Sequence, residues 1–176
     1  MCSLEQFKID LKAVTDGETP FQYELDNQFF AALDDAEIQE GSLHVSGSIR
    51  KTTGFYEFQL CISGTVQIPC DRCLEMMAQP IETESHFTAK LKENEDSSEQ
   101  DDIIMVSENE GVLDISWLIY EAIALAVPIQ HVHQPGDCND AMMRVLTEHS
   151  AARSSDADAN NKEIDPRWSA LKDLKF

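Results

Sequence analysis

Positive charge is scarce in this 176-residue chain: 13 Lys and Arg stand against 33 Asp and Glu, for a net charge of −20. Such a surface repels a phosphate backbone at long range, which disfavours extended nucleic-acid contact unless the few cations cluster. Acidity on this scale favours solubility, and it also attracts a basic partner. Long apolar runs are missing too. No stretch approaches the roughly 20 residues that span a bilayer as a helix, so no membrane partner is expected. The opening residues, Met1-Cys2-Ser3-Leu4-Glu5-Gln6, show no basic region followed by an apolar one, hence no sign of secretion. A cytoplasmic chain with reduced cysteines is the expectation. Catalytic signatures are absent as well. There is no G-x-S-x-G elbow and no H-E-x-x-H, and the seven glycines are scattered rather than gathered into a phosphate loop. Acidic pairs are so common that none is diagnostic, and nothing points to an enzyme.

What the chain does have is alternation. Phe7, Ile9, Leu11 and Ala13 alternate with polar residues, as do Phe21, Tyr23 and Leu25, then Leu43, Val45 and Ile49. The longest case has Tyr56, Phe58, Leu60, Ile62, Val66 and Ile68 on one row, with Glu57, Gln59, Cys61, Ser63, Thr65 and Gln67 on the other. A period of two over that length predicts a strand with one buried and one wet face. Gly64 interrupts the apolar row and suggests a bulge or bend. A further alternating segment carries Ile81, Phe87, Ala89 and Leu91. One-sided burial with short links, such as the hairpin connection Lys51-Thr52-Thr53-Gly54, predicts an antiparallel sheet. A short helix is expected at Asn27 to Leu33, and a short strand at Ile103 to Val106.

The period then lengthens. Ile115, Leu118, Ile119, Ala122, Ile123 and Ala126 recur at helical spacing behind Asp114 as N-cap, and Pro128 closes the run. Trp117 and Tyr120 fall off that stripe, which places them at sheet edges or against a partner. The expected fold class is α+β: a mostly antiparallel sheet, one main packed helix, a short C-terminal helix and flexible acidic loops. Residues 93 to 110 hold eight acids and no base, and their first part reads as a mobile loop. The organisation expected is a sheet-and-helix core over 1–128 and a C-terminal extension over 129–176. In that extension Ala141 to Thr147 predicts a short helix, Ser154 to Lys162 a disordered stretch, and Asp165-Pro166 the start of a last helix carrying Trp168, Leu171 and Leu174.

Cys70-Asp71-Arg72-Cys73 lies between two alternating segments. Two thiols at this spacing can hold a metal ion, form a redox pair, or sit in an ordinary turn. A structural zinc takes four Cys or His ligands. The chain offers His131, His133 and Cys138 about sixty residues later, just past Pro128. Cys70, Cys73, His133 and Cys138 make a chemically sensible zinc set, which would staple the extension to the turn. A thioredoxin-type pair opens a helix, and the position between strands argues against that use. Cys61, on a polar face, and Cys2, at the start of the chain, are not expected to be ligands. His44 and His86 also fall on polar faces.

Taken in order, these residues resemble a known family. An alternating strand ends in Val66-Gln67-Ile68-Pro69-Cys70-Asp71-Arg72-Cys73-Leu74; a helix runs from Leu113-Asp114-Ile115 to Pro128; His133 and Cys138 follow, then Asp165-Pro166-Arg167-Trp168 with Leu171 and Leu174. From about residue 4 to 176 the chain is similar to the YceD family of large ribosomal RNA subunit accumulation proteins. The resemblance implies a non-enzymatic ribosome-biogenesis factor supporting accumulation or processing of large-subunit ribosomal RNA. Its partners would be ribosome-assembly proteins or that RNA. Members often carry a second C-x-x-C in the C-terminal segment, whereas this chain keeps a single Cys138. A shorter family variant, Pro then His then Cys, matches Pro128, His133 and Cys138 and favours His133 over His131 as a ligand. A factor touching RNA is ordinarily basic. The net charge therefore favours contact through a basic protein, or through a local patch formed by Arg72, Arg167 and Trp168. A zinc-stapled interaction module outside the ribosome pathway is the alternative.

Overall fold

A computed structural model of the chain describes residues 4–33, 36–92 and 103–149. A 3-10 turn, Leu4–Phe7, leads into strand β1, Lys8–Asp10. Only this part of the alternating segment 7–13 is strand. Asp10 Oδ1 accepts the Lys12 N–H at 2.9 Å, a side-chain turn that ends the strand, while Leu11 donates its N–H to the Gly111 carbonyl. Strand β2, Gly17–Leu25, is followed by helix α1, Asn27–Ala32. Asp26 caps that helix by accepting from the N–H groups of Gln28 and Phe29. Strands β3, Glu40–Thr52, β4, Phe55–Pro69, and β5, Met76–Lys92, form an antiparallel meander. The hairpin at Thr53-Gly54 uses a glycine at φ +88°.

Strand β6, Ile103–Ser107, pairs with β5 in parallel. The sheet order is β2-β3-β4-β5-β6, so the expected antiparallel sheet is antiparallel except at this last pair. A two-stranded pair joins β1 to β7, Val112–Asp114. Helix α2, Ser116–Ala126, then packs on β5, and helix α3, Asp140–His149, closes the described residues. The fold is α+β, as the patterning predicts.

The period-two row of β4 is the core. Tyr56, Phe58, Leu60, Ile62, Val66 and Ile68 are each no more than 6% exposed. Phe29 and Phe30 of α1 and Ile119 and Ile123 of α2 belong to the same buried cluster. Gly64 carries no bulge, because register runs unbroken from Leu43 through Gly64 to Ile81. It is there for space: at φ +150° an added Cβ would lie 2.3 Å from the Ser42 carbonyl and 2.6 Å from Leu43 Cα.

Two expectations about α2 need correction. Its N-cap is Ile115 rather than Asp114. Asp114 still satisfies the helix start from one residue back, its Oδ1 accepting from both the N–H and the hydroxyl of Ser116. Tyr120 is not at an edge but buried, and its hydroxyl oxygen accepts from the N–H groups of Glu37 at 2.8 Å and Ile38 at 3.3 Å. Trp117 remains 43% exposed and donates its indole N–H to Glu121.

The described chain divides into a compact unit reaching Asn139 and a second unit from Asp140 onward. Within the second, α3 is an amphipathic helix with Met142, Val145 and Leu146 exposed. The acidic stretch 93–102, the stretch Ser154 to Lys162 and the expected last helix lie outside the described residues. No helix among the described residues is long and apolar enough to cross a membrane.

Candidate metal centre

The site grows from the turn between β4 and β5. Once Pro69 ends its strand, Cys70 donates its N–H to the Glu75 carbonyl at 2.9 Å, and Leu74 donates to the Cys70 carbonyl at 2.9 Å. These two bonds fold the six residues into a tight knuckle. Inside it the Arg72 N–H points at Cys70 Sγ from 3.4 Å. The turn joins antiparallel strands and opens no helix, which removes the context of a thioredoxin-type pair.

The second half comes from the loop between α2 and α3. A turn at Pro135-Gly136, closed by the Asp137 N–H to Gln134 carbonyl bond, brings His133 and Cys138 to one side. Cys73 Sγ lies 3.3 Å from His133 Nδ1, and Cys70 Sγ lies 4.0 Å from Cys138 Sγ. The ligand atoms of Cys70, Cys73, His133 and Cys138 all lie within 4.8 Å of one another. A tetrahedral zinc with bonds of about 2.3 Å to sulfur and about 2.0 Å to nitrogen separates its ligands by roughly 3.5–3.8 Å. The observed separations suit that geometry. The sulfur pair is nearly twice as far apart as the roughly 2.05 Å of a disulfide.

The electrostatics agree with a cation-seeking cluster. Burial pushes the Cys70 thiol up. The N–H groups of Cys73, Arg72 and His133 outweigh it and bring the thiol from its ordinary 9.0 to about 6. Cys73 is also lowered, chiefly by the Asn139 N–H. The thiols beside His133 raise its pKa, with Cys70 contributing most. Cys138 moves the other way, up to about 11, through burial and then its hydrogen bonds with Cys70 and Cys73. Several thiolates gathered without a cation repel one another, and a divalent ion removes that penalty. A set of three Cys and one His is the donor chemistry of a closed structural zinc site, so these residues fit the ion.

The sequence reading missed the clasp beside the cluster. Asp71 donates its N–H to the His131 carbonyl at 2.9 Å, and its Oδ2 accepts the His131 N–H at 2.7 Å. His131 Nε2 lies 3.4 Å from Asp71 Oδ1, and His131 Nδ1 lies 3.0 Å from the Pro128 carbonyl. His131 is therefore outside the ligand cluster and ties the loop to the knuckle. Asn139 adds a second tie, from its side-chain amide to Glu75 at 2.6 Å. Spacing gave no signal for either contact, since the partners are some sixty residues apart. Cys61 is exposed, His86 is exposed, and His44 sits 2.7 Å from Glu24. Arg72 is exposed on the knuckle, while its suggested companions Arg167 and Trp168 lie outside the described residues.

Residues 58–175 match the family described as large ribosomal RNA subunit accumulation protein YceD. The match covers well over half of the chain, which therefore belongs to the YceD family. It begins within β4, so residues 4–57, which the resemblance was expected to cover, are outside the matched span. No curated protein and no solved structure matches the chain.

Proposed function

We propose that this chain is a non-enzymatic, cytoplasmic ribosome-biogenesis factor, which supports accumulation or processing of large-subunit ribosomal RNA by binding a basic assembly protein. Family membership carries this reading, because the family's description names accumulation of that RNA and no reaction. The convergence of Cys70, Cys73, His133 and Cys138 supports a structural zinc in its service. When bound, the zinc supplies cross-linking, and four protein ligands leave no position for substrate. Residues 129–139 are thereby fastened to the β4–β5 turn, and the extension over 129–176 is anchored to the core at its start. The net charge of −20 favours a basic protein over naked RNA as the direct contact.

Depletion tests the function. A strain losing this protein should accumulate less mature large-subunit ribosomal RNA, with a lowered ratio of large to small subunits. Wild-type protein should restore it, and the variant Cys70→Ser, Cys73→Ser should restore it poorly. Unchanged ribosome profiles on depletion would refute the reading, and co-purification with a complex unrelated to ribosomes would favour an interaction module elsewhere.

A further inference from the structure

The tip of the Cys turn has a backbone that its sequence does not favour. Leu74 is the one non-glycine residue with positive φ among the described residues, at +61°. Glycine adopts that left-handed conformation freely, whereas a leucine Cβ is crowded by it. The side chain gains no core packing in return, being 66% exposed. Met76, also exposed, follows two residues later. Ile129 is fully exposed and lies two residues before His131, whose contacts with Asp71 hold its loop against the knuckle. Single exposed apolar residues are ordinary on a protein surface. A strained, outward leucine on a turn that also exposes Met76, clasped to a loop that exposes Ile129, is not. Strain held without a packing return marks functional positions.

We propose that Leu74, Met76 and Ile129 form the docking point for a basic protein segment that brings apolar side chains of its own. The charge around the tip selects that partner. The exposed charges of the two clasped segments are Asp71 and Glu75 on the turn and Asp137 on the loop, with Arg72 as the one exposed cation of the turn, on a chain of net charge −20. A phosphate backbone meets repulsion there, and a Lys- or Arg-rich segment meets attraction. The exposed leucine and isoleucine then supply the desolvated contact from which such an interface draws most of its affinity. This inference rests on the ribosome-assembly reading for its choice of partner.

The test uses the full-length chain as bait against two probes: the RNA-free protein fraction of the large ribosomal subunit, and protein-free large-subunit ribosomal RNA. Wild type should capture basic proteins from the first and little of the second. Leu74→Gly should keep zinc and retain or gain thermal stability, because the strain is relieved, yet weaken capture by about tenfold or more. Ile129→Asp should weaken it similarly. Protein capture unaffected by both variants would overturn the docking point and leave the ribosome reading standing. Capture of RNA alone would overturn the docking point, and capture from neither probe would overturn both. A photo-crosslinking p-benzoylphenylalanine at position 74 gives a separate readout. Adducts with a basic large-subunit protein support the proposal; adducts with a second copy, with the chain's own C-terminal residues or with RNA overturn it.

Discussion

Strand β4 and the loop over 129–139 belong to one compact unit but are held in different ways. β4 has neighbours on both sides and six apolar side chains turned into the core. Each such side chain contributes about 1.5–3 kcal/mol when buried, so the strand is secured many times over. The loop has no such row. Ile129 is fully exposed, and His133 and Cys138 are only partly buried. Its anchors are polar and few: the Asp71–His131 clasp, the Glu75–Asn139 bond and the Cys and His cluster. Hydrophobic burial is spread over many residues and tolerates the loss of one. A metal held by the cluster would concentrate the same task in four ligand atoms.

That contrast can be pulled apart from either side. The largest effect is expected from Cys70→Ser with Cys73→Ser. Structural zinc sites carry on the order of 10 kcal/mol of binding free energy, and removing two thiolates forfeits the metal. Hydrogen exchange should show the 129–139 amides losing protection while those of β3 and β4 keep theirs. If the sheet melts with the loop, the two regions are one cooperative unit and the contrast fails. Phe58→Ala works from the other side. It should lower global stability in denaturant titration by about 3–5 kcal/mol and leave zinc content of the folded protein unchanged. Tyr120→Phe leaves the Glu37 and Ile38 N–H groups without their acceptor, at a cost of about 1–2 kcal/mol and a modest drop in Tm.

The smallest effect is one of pH on the metal-free protein. The Cys70 thiol is lowered to about 6, so its thiolate contributes stability that is complete above the ordinary 9.0 and is lost as pH falls through about 6. His133 is raised, so its contribution is complete below 6.5 and is lost as pH rises through its folded value. Amide protection in the metal-free loop should therefore be greater at about pH 7 than at about pH 5, because the Cys70 gain begins near 6, before His133 starts to lose its contribution. A loop equally protected at pH 5 and pH 7 would contradict the assignment.

The two regions also differed in how far the sequence revealed them. Tyr56 to Ile68 alternates because every second side chain must leave water, so the strand, its buried face and its hairpin were legible directly. The four candidate ligands were legible for another reason: few surfaces need Cys and His at chelating spacing. What failed to show was whatever depends on a partner distant in the chain. Tyr120 looked misplaced because the N–H groups that donate to its hydroxyl, those of Glu37 and Ile38, precede it by some eighty residues. Asp71 looked like a turn residue until His131 came against it. The parallel pairing of β6 leaves no trace in local periodicity, since either direction satisfies the same alternation. At Lys8–Asp10 the pattern ran longer than the strand, because Phe7 and Leu11 are both buried although only the residues between them pair.

The metal content of the purified, reduced full-length protein tests the central claim most directly. Elemental analysis with native mass spectrometry should find about one zinc per chain in wild type and none in Cys70→Ser, Cys73→Ser, with the wild-type ion retained through gel filtration. Wild-type protein free of stoichiometric metal after purification with zinc present would contradict the account, and the four side chains would then be a thiol and imidazole cluster with no ion to hold.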